Sequence, residues 1–155
     1  MQVSYGLLMF VHEANTLSVL LVHPGGPYWR NKDDGAWSIP KGLADDGEDG
    51  LEAAQREFFE ETGLKPAAPF IELKAVKQKG GKLVHCWAFE GERAPIALGE
   101  STFEIEWPPR SGKMARFPEV DRAEFFTLAE ARKKILASQL GFLDQLAEAE
   151  RAART

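Results

Sequence analysis

The chain has 155 residues, of which 44% are hydrophobic and 28% charged, so it can form one compact domain with a buried core. Its formal net charge of −5 argues against a general nucleic-acid-binding protein, which needs a basic face for the phosphate backbone. The single cysteine, Cys86, excludes a disulfide framework and fits a cytoplasmic protein. The apolar run 6–11 is too short to span a bilayer, so no membrane partner is expected.

The chain begins with two predicted strands. Residues 3–11 and 17–23 are apolar runs separated by the turn residues 13–15, which predicts a hairpin. Residues 23–35, rich in Gly, Pro and Asp, form a long loop, and such loops in compact domains are often functional. The segment 37–39 is predicted as a short strand that ends at Pro40.

The clearest predicted helix covers residues 49–62. Leu51, Ala54 and Phe58 recur at helical spacing and form a stripe that should face the core. Gly63 follows the last turn, where glycine commonly ends a helix.

The second half of the chain is predicted as strands followed by helices. The predicted strands are 70–79, 82–90, 101–107 and 124–126, and the predicted helices are 128–135 and 139–148. Because strands precede, interrupt and follow helices, we expect one α+β (mixed α/β) domain over residues 1–155.

Acidic residues are concentrated between positions 41 and 64, where eight acids stand against two bases. Glu57, Glu60 and Glu61 lie at i, i+3 and i+4 of the predicted helix and therefore share one face. Like charges at this spacing weaken a helix, and carboxylate oxygens are ligands that suit Mg²⁺ or Mn²⁺. From periodicity alone, a solvated acidic face is the alternative to a metal site.

The spacing of these residues resembles the signature of the Nudix hydrolase (MutT-like) family. Gly42 is followed by five residues, Glu48, seven residues and then the run Arg-Glu-Phe-Phe-Glu-Glu-Thr-Gly-Leu at 56–64, so every defined position of the Nudix box is filled. The resemblance implies an α/β/α sandwich with a mixed central sheet. It also implies Mg²⁺-dependent or Mn²⁺-dependent hydrolysis of a pyrophosphate bond in a nucleoside diphosphate linked to another group. A dinucleoside polyphosphate and a (d)NTP are candidate substrates.

The resemblance also implies roles for individual residues. The carboxylates of Glu57, Glu60 and Glu61 match the family's metal ligands, and Gly42 matches a glycine whose carbonyl reaches a metal. Arg56 matches the arginine that pairs with Glu48 and orients Glu57 in catalysis. Lys41, next to Gly42, is expected to bind substrate.

Other substrate contacts must come from outside the box. In the loop 23–35, Trp29 is expected to stack on a base, while Arg30 and Lys32 are expected to meet phosphates. The alternative for Trp29 is a packing role beneath the loop.

An additional carboxylate beyond the box is often needed in this family, and its place varies. Glu104 is the preferred candidate, because it lies mid-strand between Phe103 and Ile105, which should anchor a rigid platform. Glu106 and Glu119 are the other candidates, and a solvent-exposed carboxylate is the alternative for each.

A rival interpretation is a nucleotide-binding or regulatory module that keeps the fold without catalysis. Such a protein is expected to lose a carboxylate of the Arg-Glu-x-x-Glu-Glu run, and this chain retains all three. The expected partner is a small-molecule nucleotide, and the protein is expected to be a monomer or a homodimer.

Overall fold

The computed structural model describes residues 2–153. The predicted single domain over 1–155 includes residues 1, 154 and 155, which lie outside the described part. In chain order the elements are β1 (Val3–Glu13), β2 (Thr16–Pro24), β3 (Lys41–Gly42), α1 (Gly50–Thr62), β4 (Ile71–Gln78), β5 (Lys82–Glu90), β6 (Thr102–Glu106), β7 (Met114–Pro118), β8 (Val120–Thr127), α2 (Leu128–Lys134) and α3 (Leu140–Ala153). Short 3₁₀ turns cover Lys79–Gly81 and Ala137–Gln139.

A mixed sheet forms the middle layer. Within residues 2–153 its strand order is β4-β5-β1-β2-β8, and β3 pairs with β1 beside this path. Strands β1 and β5 are parallel, whereas the other pairs are antiparallel. Strands β6 and β7 form a separate antiparallel hairpin. The mixed sheet confirms the predicted fold class, and the β1–β2 hairpin confirms the first predicted connection.

The core is divided into two layers by the sheet, because successive side chains of a strand point to opposite faces. Leu8 of β1 packs in a cluster that includes Phe142 of α3. Its neighbour Leu7 packs in the other cluster, with Ala54 and Phe58 of α1. The helices therefore cover both faces, as the α/β/α arrangement requires, and α1 is fixed to the sheet by its apolar stripe.

Helix α1 has well-defined ends. The Asp49 side chain accepts a hydrogen bond from the Glu52 N–H at 2.8 Å, which satisfies a donor that the first turn leaves free. Gly63 adopts a left-handed φ of 75° and donates its N–H to the Phe59 carbonyl at 2.8 Å. The predicted helix over 49–62 is confirmed, with Asp49 as its cap.

The predicted strands and the observed strands differ in several places. Segment 37–39 contributes only isolated bridges, between Ser38 and Val22 and between Trp37 and Ile135. Strand β8 begins at Val120, earlier than the predicted 124–126, because it pairs with β2 along most of that strand. Strand β7 was not predicted, since pairing with β6 rather than an apolar run defines it. No helix within residues 2–153 is long and apolar enough to cross a membrane.

Candidate active site

The Arg56 guanidinium joins helix α1 to the loop that precedes it. Its Nε and Nη2 donate to the two oxygens of Glu48, each at 2.9 Å, which is the bidentate geometry of a strong ion pair. Nη2 also donates to the Leu43 carbonyl at 2.9 Å, and Nη1 donates to Glu57 at 3.0 Å. Hydrogen bonds from Arg56 lower the pKa of Glu48 to about 2. The predicted pairing of Arg56 with Glu48 and its contact with Glu57 are both present.

Three glutamates lie in the C-terminal half of α1. This is an unfavourable place for carboxylates, because the helix dipole is negative there. The last turn of α1, all of it within the described residues, contains no basic residue. Burial, reinforced by the charge of Glu57, raises the pKa of Glu61 to about 8, and burial also raises the pKa of Glu57. A cation at this position would relieve both the repulsion and the desolvation.

Gly42 permits close approach between β3 and α1. Its backbone pairs with Tyr5 of β1, and a Cβ atom at this position would overlap the Glu57 carboxylate. The neighbouring Lys41 N–H donates to Glu61 at 3.1 Å. The strand β3 therefore presents its backbone to two of the three glutamates, which explains why glycine is needed at residue 42.

Glu119 lies across a narrow cavity from these carboxylates. This cavity is lined by Glu57, Glu60, Glu61, Gly99, Ser101, Glu119 and Val120. The backbone of Glu119 is held from two sides, since its N–H donates to Ser101 and its carbonyl accepts from Gly25, both at 3.0 Å. The negative charge of Glu119 contributes to the raised pKa values of Glu57 and Glu61. Lys41, Glu61 and Glu119 line an adjoining cavity.

The donor set fits a hard divalent cation. Carboxylate oxygens and a backbone carbonyl are the ligands that Mg²⁺ accepts in proteins. Among residues 2–153, no three His, Cys, Asp or Glu side chains already meet at the spacing of metal ligands. Instead Glu57 and Glu60 contact Arg56, and Glu61 contacts the Lys41 N–H. Small rotations of these side chains would be required to bring them around one ion.

The predicted distal carboxylates occupy different places. Glu104, the preferred candidate, is exposed on the hairpin and pairs with Arg116 at 2.8 Å. Glu106 accepts hydrogen bonds from backbone N–H groups in the hairpin tip. Of the three candidates, Glu119 is the one that the structure brings to the glutamate cavity. The sequence feature that makes Glu119 a candidate is its place in the Phe-Pro-Glu-Val-Asp segment at 117–121, where a turn can bring its carboxylate over the acidic helix.

The loop after β2 carries the predicted substrate residues. Trp29 is half-buried, packs against the core, and also lines a cavity of about 270 Å³, so its packing and binding interpretations are compatible. Lys32 lies over the Trp29 ring, with Nζ 5.1 Å from its centroid. Arg30 is exposed.

A buried histidine links this loop to the strand that follows Glu119. His23 is fully buried, and its Nε2 donates to the Lys32 carbonyl at 2.7 Å. Its Nδ1 lies 2.7 Å from Asp121, two residues beyond Glu119. His23 is therefore a buried structural link between the loop and strand β8.

We predict strong coupling between Arg56 and Glu48. Arg56→Ala and Glu48→Gln each remove the same bidentate contact, so the double variant should lose clearly less stability than the sum of the two single losses. The measurement is urea unfolding of all four proteins in EDTA. The matched control is the pair Arg151 and Glu148, each 72% exposed, whose losses should be additive within error. Additive losses for Arg56 and Glu48 would contradict a shared bracing role.

Comparison with known proteins identifies relatives in sequence and in structure. A curated RNA pyrophosphohydrolase of Brucella anthropi is 34% identical over 114 residues, which are 56% of this chain and 63% of that protein. The matched region thus spans less than two thirds of that relative. The NUDIX domain of Shewanella oneidensis NrtR complexed with ADP ribose has a TM-score of 0.68 at 19% identity, covering 100% of this chain and 89% of that one.

A second solved structure, the C. elegans Ap4A hydrolase binary complex, also has a TM-score of 0.68, at 21% identity, and covers 99% of each chain. At these identities the two structures show a shared fold. The model of the family described as NUDIX domain matches residues 2–146, which include the whole acidic site. The chain therefore belongs to the NUDIX domain family.

Proposed function

We propose that this protein hydrolyses a pyrophosphate bond in a nucleoside diphosphate linked to another moiety, with Mg²⁺ or Mn²⁺ as cofactor. The observation that carries the proposal is the gathering of Glu57, Glu60, Glu61 and Glu119 around one cavity. Four carboxylates at one place repel one another in the free protein. A divalent cation compensates both their negative charge and that of a pyrophosphate substrate.

Individual residues would divide the work as follows. The carboxylates of Glu57, Glu60 and Glu61 and the carbonyl of Gly42 would hold the ion, and Arg56, which donates a hydrogen bond to Glu57, would orient that carboxylate. A divalent ion supplies neutralisation of the charge that develops on the pyrophosphate oxygens. Glu119 would accept the proton of the attacking water on its carboxylate.

Lys41 would bind the phosphates next to the bond that breaks. It lines the cavity that also contains Glu61 and Glu119, so its ammonium group can reach an anion placed there. Burial lowers the pKa of Lys41, whereas the charges of Glu61 and Glu57 act in the opposite direction. The same glutamates therefore help to keep Lys41 charged in a poorly solvated position.

A dinucleoside polyphosphate is the substrate class that we favour. The Pro40-Lys41-Gly42 segment resembles the dinucleoside-polyphosphate and diphosphoinositol branches of the family, and the net charge of −5 disfavours long nucleic acid. A 5′-triphosphate end of RNA is the second candidate, because the Brucella relative is named an RNA pyrophosphohydrolase.

The proposed activity predicts Mg²⁺-dependent turnover of diadenosine tetraphosphate. Products would be identified by chromatography, in parallel with ATP and a short 5′-triphosphorylated RNA as competing substrates. Excess EDTA should abolish turnover because the carboxylates alone cannot neutralise the phosphate charge. No hydrolysis of any of the three substrates with Mg²⁺ or Mn²⁺ would favour a nucleotide-binding module without catalysis.

We predict that Glu119 is the distal carboxylate. Glu119→Gln should lower kcat by about 100-fold or more, since it removes a proton acceptor while retaining size. Glu104→Gln is the matched control and should keep kcat within about threefold, because Glu104 pairs with Arg116 and is not among the residues that line the glutamate cavity. Steady-state kinetics of both variants would decide, and the reverse pattern would restore Glu104 to the role.

Gly42→Ala should weaken cation binding. The added Cβ must displace the Glu57 carboxylate, so the rise in Tm that Mg²⁺ produces by mass action should fall to less than half of the wild-type value. Gly141→Ala is the control, since its Cβ would lie 3.6 Å from Val76 in ordinary contact within a helix. Differential scanning fluorimetry measures both, and an unchanged Mg²⁺ effect in Gly42→Ala would count against this site.

A further inference from the structure

A segment without regular secondary structure, residues 91–101, connects β5 to β6, and we call it the strap. Its first part is fixed to the end of β1, because the Arg93 guanidinium forms a bidentate ion pair with Glu13 at 2.7 and 2.8 Å. Its last part reaches the acidic site, since Gly99 and Ser101 line the glutamate cavity. The strap is therefore one wall of that cavity.

The strap docks on the last turn of α1 through backbone groups. The Ala97 N–H donates to the Thr62 carbonyl at 3.0 Å, which satisfies an acceptor that the end of a helix leaves free. Two residues later, Gly99 lies directly against the Glu60 carbonyl. A Cβ atom on Gly99 would overlap that carbonyl oxygen and lie 3.1 Å from the carbon. The two backbones therefore approach each other at Gly99 as closely as their atoms permit.

Space, rather than backbone conformation, accounts for glycine at position 99. The φ of Gly99 lies outside the left-handed region, so an L-residue can adopt it. At Gly42 the atoms that a Cβ would meet belong to the Glu57 side chain, which can rotate, whereas at Gly99 a backbone must move. Because α1 is fixed by its N-cap and its apolar stripe, an added Cβ should push the strap outward.

The position of the strap is passed to Glu119 by one hydrogen bond. The Ser101 carbonyl, two residues beyond Gly99, accepts the Glu119 N–H at 3.0 Å. Gly99 thus contacts Glu60 on one side of the glutamate cavity, and Ser101 holds Glu119 on the other. The cavity has a volume of about 10 Å³, at the lower bound for a single water molecule. Outward movement of the strap would widen it.

We propose that Gly99 is a positioning residue that keeps the glutamate cavity narrow and thereby favours Mg²⁺ over the larger Ca²⁺. Mg²⁺ binds oxygen ligands at about 2.0–2.1 Å and Ca²⁺ at about 2.3–2.6 Å with more ligands, so the size and rigidity of a cavity decide between them. The proposal rests on the proposed function in one respect, since both need a divalent cation at these glutamates. It concerns cation binding and requires no turnover.

Competition for bound Mn²⁺ measures the cation preference without substrate. Mg²⁺ and Ca²⁺ would be titrated separately into the Mn²⁺-loaded protein, and the released Mn²⁺ followed by electron paramagnetic resonance. In Gly99→Ala the ratio of the Ca²⁺ dissociation constant to the Mg²⁺ dissociation constant should fall by about fivefold or more, because a wider cavity admits the larger ion. An unchanged ratio in the folded variant, including equal weakening of both ions, would overturn the proposal.

Gly91→Ala is the matched control. It makes the same substitution in the strap, but its Cβ would meet the Met9 side chain, away from the glutamate cavity. The ratio of dissociation constants should equal that of the wild type, which separates cavity width from the general effect of replacing glycine on the unfolded chain. Melting temperatures in EDTA show whether both variants are folded.

Amide hydrogen exchange of the wild type provides a second test if Gly99→Ala does not fold. Bound Mg²⁺ should slow exchange of the Ala97 and Glu119 amides, which join the strap to α1 and to Glu119, because opening there would release the ion. The Gly91 amide, bonded to Phe10 at the other end of the strap, should not respond. Equal protection of Ala97 and Glu119 by saturating Mg²⁺ and Ca²⁺ would contradict the proposal.

The proposed function and this proposal can fail separately. A changed cation preference in Gly99→Ala without hydrolysis of any substrate by the wild type would reject the catalytic function and support the role of the strap. Hydrolysis by the wild type together with an unchanged preference in Gly99→Ala would support the catalytic function and reject the role of the strap.

Discussion

The Arg56 guanidinium makes the contacts on which the arrangement of the acidic site depends. It binds both oxygens of Glu48 and the Leu43 carbonyl, which fixes the loop before α1, and it also reaches Glu57 and Glu60. One delocalised cation therefore offsets part of the repulsion among carboxylates that lie at the unfavourable end of a helix. Among the three glutamates it contacts Glu57 and Glu60 rather than Glu61, which accepts a hydrogen bond from the Lys41 N–H and whose pKa is raised by burial. Arg56 therefore compensates the charge of the carboxylates on its own side of the site, whereas no side-chain cation within residues 2–153 is hydrogen-bonded to Glu61.

The sheet brings the remaining parts to the same place. The apolar stripe of α1, which includes Phe58, packs against the sheet and fixes the position of the helix. Strand β3 pairs with β1, and this pairing places Gly42 against the Glu57 side chain. Glu119 lies at the junction of β7 and β8, where backbone hydrogen bonds with Ser101 and Gly25 hold it. The β6–β7 hairpin ends at Pro118, next to Glu119. Glu119 therefore lies where the cavity lined by Trp29 and the glutamate cavity adjoin.

The features that follow from a local repeat in the sequence agree with the structure. The spacing of Glu57, Glu60 and Glu61 on a helix fixes their common face, and the pairing of Arg56 with Glu48 followed from the motif. Strand alternation assigned Glu104 correctly to the polar face of β6. Alternation cannot tell, however, whether that face meets the cleft or the solvent, because this depends on how the hairpin docks against the loop at Gly26. The position of Glu119 depends on the same tertiary contact, as does β7, which is defined by its partner strand.

The central claim is that the glutamates of α1 bind a divalent cation together. Titration with Mn²⁺, followed by the electron paramagnetic resonance signal of the free ion, measures this directly in the absence of substrate. The wild type should bind Mn²⁺, and the combined variant Glu57→Gln, Glu60→Gln and Glu61→Gln should not, because its carboxylate ligands become neutral amides. Undiminished Mn²⁺ binding by a folded triple variant would contradict the claim.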